Sequence, residues 1–474
     1  MKIELVNLGV IQKAEIELKP LTVFIGENNT GKTWTSYTLA SILGGYGVSQ
    51  YLKAYLKGEA TQAYPPIDNA IAQILAEGNA QVDIVQFARD YAELYINDVA
   101  RLAPNWMPEF MATERVNFQD LQIKISLAAS KDRVLQKLEH TFFEQQLSVS
   151  PQSGNALLSA SKEENESILY FYTLSESKGS ILQKLPERVI KKFVSTIIFV
   201  EIHGHLYSSG MYLFPTERTT FITFPFSHSE FNEFKKSREK ASEELQQTKI
   251  QKKSSPIMGG ESLKSFINMI FRSYSRDWTD REKEIKENPE ISTYIELAKL
   301  LERDIIQGNV DFEDSGLGKE LLFQASDSLK LQMPVVSSMV KELTPLVLCL
   351  RYWVAPDEWL IIDEPEMNLH PAAQVEMIEF LAMLVAANLN VLITTHSPYI
   401  VDHLVNLMQA AKHEDKERIK DNFYLERTEA FIPQDKVSVY LFEEGTAKNI
   451  LDEAGRINWQ TFANVSDDIA NIFL

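Results

Sequence analysis

Eight residues near the start of the chain, Gly26-Glu27-Asn28-Asn29-Thr30-Gly31-Lys32-Thr33, carry the pattern of a loop that wraps phosphate groups. Glycines at both ends allow a tight backbone path, so the amides of Asn28, Asn29 and Thr30 can point at a polyphosphate. Lys32 would hold the β- and γ-phosphates and Thr33 would ligate Mg2+. A second group lies far downstream, where Leu360-Ile-Ile-Asp363-Glu364-Pro365 closes an apolar run with two carboxylates. Asp363 suits the water shell of the metal, and Glu364 suits a general base that polarises an attacking water. Third, Val391-Leu-Ile-Thr-Thr395 ends in His396-Ser397-Pro398, and His396 is the candidate sensor of the γ-phosphate. Together these residues imply hydrolysis of a nucleoside triphosphate with Mg2+ as cofactor. His203 and His205, by contrast, sit on a β-like run without a nearby Cys or acidic set, and no metal site is expected there.

Such groups need strand ends to hold them. Residues 21–25 are short, apolar and β-rich, as in a strand buried on both faces, and a helix is expected from Lys32. Residues 2–8 and 14–18 alternate and read as half-buried strands. From 46 to about 111 the pattern is helical. Between 115 and 226, β-like runs at 121–127, 168–174, 195–202 and 211–214 surround a helix-like 132–146, which implies an antiparallel layer. The charged spans 231–250 and 280–306 are expected to be helical and to form a short antiparallel arm joined through 252–260, or a plain solvated helix pair. The last third alternates helix and strand, with helices at 335–352 and 371–387, strands at 359–362 and 390–395, and one more strand at 437–444. This is the pattern of a parallel sheet.

Composition bounds the partners. The 474 residues carry a net charge of −19, so nucleic acid could be met only through a local basic patch. The single cysteine, Cys349, excludes an intrachain disulfide and fits a reducing compartment. The opening Met-Lys-Ile-Glu lacks the order of a signal peptide. The longest apolar stretch, 380–395, is broken by Asn388 and Asn390 and falls short of the roughly 20 residues that span a bilayer. A cytoplasmic protein without a membrane partner is expected.

The phosphate loop, then Val336-Ser337-Ser338-Met339-Val340-Lys341-Glu342, then Leu360 through Pro371, then Thr-Thr-His-Ser-Pro, resembles the ABC-type ATPase heads of the SMC-like and OLD-like group. The resemblance covers about 50 N-terminal residues and 317–404, and it implies an α/β fold, a P-loop ABC-type ATPase head with a mixed sheet, helices on both faces and helical insertions forming a short arm. In that group the Ser-containing segment contacts the γ-phosphate held by the opposite subunit. Ser337 and Ser338 occupy it here, without the usual paired glycines. Asn368-Leu369-His370-Pro371 is similar to the loop that crosses the dimer interface, and Pro215-Thr216-Glu217-Arg218 resembles a Pro-x-Glu-Arg segment common in OLD-like ATPases, with no role derivable from sequence.

The resulting organisation is an N-terminal lobe at 1–45, a helical insertion at 46–112, a β-rich part of that lobe at 113–228, a helical arm at 229–312, a C-terminal lobe at 313–445 and a tail at 446–474. OLD-family nucleases carry a C-terminal Toprim domain, for which the residues after 404 leave no room. The layout therefore resembles stand-alone ATPase subunits of bacterial anti-phage systems of the PARIS or Septu type. This implies a sensor or scaffold that pairs through its heads as a dimer or higher oligomer, answers a phage-derived trigger and controls a separately encoded effector such as a Toprim-like or HNH nuclease. The alternatives are an SMC-like repair ATPase that binds DNA across paired heads and, ranked last, a transporter subunit.

Overall fold

The computed structural model describes residues 1–127, 131–148, 156–173, 186–207, 210–223, 260–315 and 318–459. Strands β1 (Lys2–Leu8) and β2 (Ile11–Glu17) form an antiparallel hairpin in which Ile3, Leu5, Ile11, Ala14 and Ile16 turn inward and the charged residues between them turn out. This is the alternation read from the sequence. β3 (Leu21–Gly26) is buried throughout and runs through the phosphate loop into helix α1 (Lys32–Leu43). Helices α2 (Gly45–Lys57) and α3 (Pro65–Glu77) follow, then β4 (Asn79–Asp83) and α4 (Ile84–Leu102). β4 is a short strand inside the span expected to be wholly helical.

β5 (Gln122–Ser126) joins β1 on the edge opposite β2. Helix α5 (Lys131–His140) ends before the expected 146, because the chain turns there into β6 (Phe143–Ser148), which pairs with β7 (Ala156–Lys162) and, through it, with β8 (Ile168–Tyr172) and β4. An antiparallel layer is therefore present, but of the four expected runs only 168–174 enters it: 121–127 pairs with β1, and 211–214 joins a parallel sheet. The 195–202 run belongs instead to helix α6 (Glu187–Tyr207). Its buried residues Ile190, Val194, Ile197, Ile198 and Ile202 follow helical spacing, a pattern that a short apolar run read alone cannot separate from a strand.

The central sheet takes β9 (Met211–Phe214) as one edge. Helices α7 (Glu261–Ser275), α8 (Trp278–Glu287) and α9 (Ile291–Leu300) and a π-helical turn at Leu301–Ile306 come next. Of the expected arm, 231–250 lies outside the described residues. The 280–306 part is helical, with Tyr294, Ala298 and Leu301 buried in the core. An antiparallel meander of β10 (Asn309–Ser315), β11 (Gly318–Ser326) and β12 (Leu329–Gln332) precedes α10 (Ser338–Tyr352), β13 (Trp359–Asp363), α11 (Pro371–Ala386), β14 (Asn390–Thr395) and α12 (Pro398–Ala411). β15 (Val437–Glu443) and β16 (Thr446–Asn449) close the described chain. The strand order is β16-β15-β3-β14-β13-β9, parallel except for β16.

Two apolar cores cover the two faces of this sheet. On β14, Leu392 joins the core with α1 to α6, while Val391 and Ile393 join the core with α9 to α12. β3 and β13 divide their residues in the same way, so each central strand is apolar on both sides and carries no solvent-facing row. Leu392→Ala and Ile393→Ala are each expected to destabilise the protein by about 2–5 kcal/mol, because each leaves a cavity on one face. Val10→Ala at the exposed β1–β2 turn should stay within about 0.5 kcal/mol. Chemical denaturation of the three variants beside the wild type measures both.

Candidate functional site

The phosphate loop is framed by backbone rather than by side chains. Gly26 has φ +140, and a Cβ there would lie 2.4 Å from the Phe442 carbonyl oxygen of β15. Gly31 has φ +100, and its Cβ would meet Ile11 at 2.7 Å. Both positions need glycine, because the first strand hairpin and β15 press on the loop from either side. Asn29 is also left-handed, at φ 62, and Thr30 Oγ1 donates to the Glu27 carbonyl at 2.9 Å. Helix α1 starts without a side-chain cap and without an acidic first turn, which leaves its positive end turned to the loop.

Lys32 is 4% exposed and donates to the carbonyls of Gly26 at 3.0 Å and Glu27 at 2.7 Å. Burial pulls its ammonium down to about 8, against the opposing pull of Glu364, Asp363 and Glu366. Thr33 Oγ1 donates to Asp363 at 3.0 Å, which joins two residues 330 positions apart. Asp363 is buried and also accepts from Thr394 Oγ1 at 2.5 Å and Thr216 Oγ1 at 2.5 Å. The hydroxyl and carboxylate oxygens of Thr33 and Asp363 are hard donors of the kind Mg2+ takes. Among the described residues no cluster of three or more His, Cys, Asp or Glu side chains forms a metal site of its own. A cation at Thr33 and Asp363 would therefore complete its shell with phosphate and water oxygens.

Glu364 follows at φ 50, a conformation that costs a residue of its type on the order of 1–3 kcal/mol. Its amide donates to the Thr394 carbonyl at 3.0 Å. Its carboxylate lies 3.4 Å from His396 Nε2, and that contact holds it below the usual glutamate range. The sequence-assigned Lys32, Thr33, Asp363, Glu364 and His396 are thus brought together at the carboxyl ends of β3, β13 and β14. Ser337 and Ser338 are exposed at the start of α10, where Ser337 caps the helix by accepting from Val340 N at 3.3 Å. Asn368 and His370 of the neighbouring loop are exposed as well.

Several contributors escaped sequence reasoning. Glu366 Oε1 accepts from Thr395 Oγ1 at 2.8 Å and from the His396 amide at 2.6 Å, and so fixes the segment that carries His396. Its Oε2 has no hydrogen-bond partner among the described residues, and burial raises its carboxyl above the ordinary value. The second glutamate of Asp-Glu-Pro-Glu was the available signal. Thr394 and Thr395, hydroxyls at the end of an otherwise apolar strand, were another. His203 is buried on α6, not on a strand, between Tyr95 and the Leu43 carbonyl, and burial lowers it to about 4. Among the described residues no helix is long and apolar enough to cross a membrane.

Residues 1–401 match the family model described as an AAA ATPase domain. No curated protein matches the chain. Three solved structures align along most of it. An SMC head bound to the C-winged helix domain of ScpA is 12% identical, with 95% of this chain and 96% of that chain covered and a TM-score of 0.36. An SMC head domain with an extended coiled coil, bound to the C-terminal domain of ScpA derived from Pyrococcus furiosus, is 12% identical, with 99% and 98% covered and a TM-score of 0.35. The SMC head domain from Thermotoga maritima is 8% identical, with 95% and 97% covered and a TM-score of 0.30.

A polyphosphate favours the charged form of Lys32, so nucleotide binding should draw in a proton wherever the free protein has begun to lose it. Between pH about 8 and 10.5, ATP affinity is expected to fall as pH rises and binding to take up protons. Calorimetry in two buffers of different ionisation enthalpy reads that uptake as a difference in observed heat, and equal observed heats in the two buffers would contradict the contact.

Proposed function

Since the chain belongs to the AAA ATPase domain family, we propose that it hydrolyses ATP in an ABC-type arrangement, with Lys32 and the amides of residues 26 to 31 on the phosphates and Glu364 as general base. The observation that carries this reading is the Thr33–Asp363 hydrogen bond, which places the end of the phosphate loop against the carboxylate strand. Mg2+, when bound at Thr33 and Asp363, would neutralise charge on the phosphates. Asp363 orients Thr33, while the Thr394 carbonyl holds the Glu364 amide and so aims the carboxylate. His396, 3.4 Å from Glu364, would hold that carboxylate and read the γ-phosphate.

Two heads paired face to face would bring the exposed Ser337 and Ser338 of one to the nucleotide of the other, with Asn368 and His370 at the contact. The exposure of all four residues supports this. In the wider reading, the chain is a sensor or scaffold of an anti-phage system that controls a separately encoded nuclease or toxin. That reading starts from the resemblance of the motifs at 26–33, 337–338, 360–371 and 394–398 to the ATPase heads of the SMC-like and OLD-like group.

Glu364→Gln tests the core of the proposal. General-base loss should lower kcat by about 10²- to 10⁴-fold, while ATP affinity and ATP-driven association persist. Turnover by chromatographic ADP assay and mass by light scattering read the two effects, and unchanged turnover would sink the assignment. For the wider reading, a pulldown from the native operon context with and without ATP is expected to bring down a stoichiometric effector. Recovery of DNA, with DNA-stimulated turnover, would overturn it in favour of a repair role.

A further inference from the structure

The segment Pro215-Thr216-Glu217-Arg218 follows β9, which runs parallel to β13 with Phe214 opposite Ile362. The residues just past the end of this register therefore fall beside Asp363 and Glu364. Thr216 uses the position to donate to the Asp363 carboxylate. Arg218, 2% exposed, reaches the backbone instead. One of its terminal nitrogens donates to the carbonyls of Pro215 at 3.0 Å and Asp363 at 2.6 Å, and the other to the carbonyl of Glu364 at 3.0 Å. The same guanidinium forms an ion pair with Glu342, which is itself 2% exposed and lies in the second turn of α10. Asn368 Nδ2 donates to the other oxygen of Glu342 at 3.3 Å.

A buried ion pair is a weak device for stability, since an apolar pair of similar size often serves as well. A guanidinium does offer something that an apolar group or an ammonium cannot: a rigid fork of donors that fixes several acceptors at once. The acceptors it fixes here are the two carbonyls that flank the left-handed residue Glu364. Thr394 holds the amide of Glu364 from β14, and Arg218 holds its carbonyl from β9.

We propose that Arg218 is a positioning residue of the ATPase site: it sets the peptide that aims Glu364, and through Glu342 it ties that peptide to the helix that presents Ser337 and Ser338. This rests on the reading of Glu364 as the general base. Glu342 lies five residues beyond Ser337, so a contact made by the exposed start of α10 has a short, buried route to the Glu364 carbonyl.

The test compares the full-length wild type with Arg218→Lys, Glu342→Gln and the double variant Arg218→Leu/Glu342→Leu. It reads steady-state ATP turnover, affinity for a fluorescent ATP analogue and thermal unfolding. Arg218→Lys keeps a charge for Glu342 but loses the fork, and it should lower kcat by about 10- to 100-fold with KM and nucleotide affinity within about twofold. The double leucine variant removes both buried charges together, so it keeps the fold measurable even where the single change does not, and its kcat should fall likewise. Glu342→Gln keeps the shape and the bond to Asn368 and should lose less. A folded variant without Arg218 that turns over ATP at the wild-type rate would overturn the inference, as would loss of affinity in step with loss of kcat. A Glu364→Gln control separates the two levels. If it hydrolyses like the wild type, the functional reading fails and this inference falls with it. If it is inactive while the Arg218 variants are normal, this inference alone fails.

Discussion

A carboxylate with 1% of its surface exposed, placed at the end of an apolar strand, is tolerable only where hydroxyls or cations meet it, and Asp363 is met by three hydroxyls from three separate parts of the chain. Thr33 comes from the start of α1, Thr216 from beyond β9 and Thr394 from the end of β14. Those three sites can converge only if β9, β13, β14 and β3 lie side by side, parallel and in one register. A slip of one residue in β13 would turn Asp363 to the other face of the sheet and bury Ile362 in its place. The need to satisfy one buried charge therefore disciplines the order of the whole central layer.

Around that hub, two carboxyls two residues apart behave in opposite ways. His396 holds Glu364 in its ionised form, whereas Glu366, deeper and with one oxygen unpartnered among the described residues, is pushed toward its protonated form. Separating adjacent groups in this way is how one short loop can carry different duties.

Much of this was legible in the sequence, for an identifiable reason. The strands at 2–8, 211–214 and 390–395 coincide with β1, β9 and β14 because alternation or a bounded apolar run is a local signal. The phosphate loop and the Asp363–Glu364 pair were visible because their spacing is local too. The signals that failed were non-local. Residues 195–202 look like a strand until the aromatic side chains they pack against are known, and Phe199 lies between Tyr51, Tyr55, Tyr64 and Tyr95 in a helical core. Arg218 could be singled out by its motif, but its partners outside the segment lie more than 120 positions away, and no pattern within the segment names them. The strand at 437–443 was visible as a strand while its place beside β3 was not.

That last placement has a consequence for how the protein is made. The Phe442 carbonyl lies where a side chain at Gly26 would have to go, and the amides of Gln12 and Lys13 are both bonded to the Gly445 carbonyl at the β15–β16 turn. One wall of the phosphate cradle is thus supplied by residues about 416 positions later in the chain than the loop it supports. At a synthesis rate of about 5–20 residues per second, roughly 20–80 s pass between the emergence of Gly26 and that of Phe442. For most of that interval β3 has neither of its sheet neighbours, since β14 and β15 both come late. A nascent chain would hold its most recognisable motif for most of its synthesis without the frame that gives the motif its shape, so nucleotide capture becomes a property of the finished molecule.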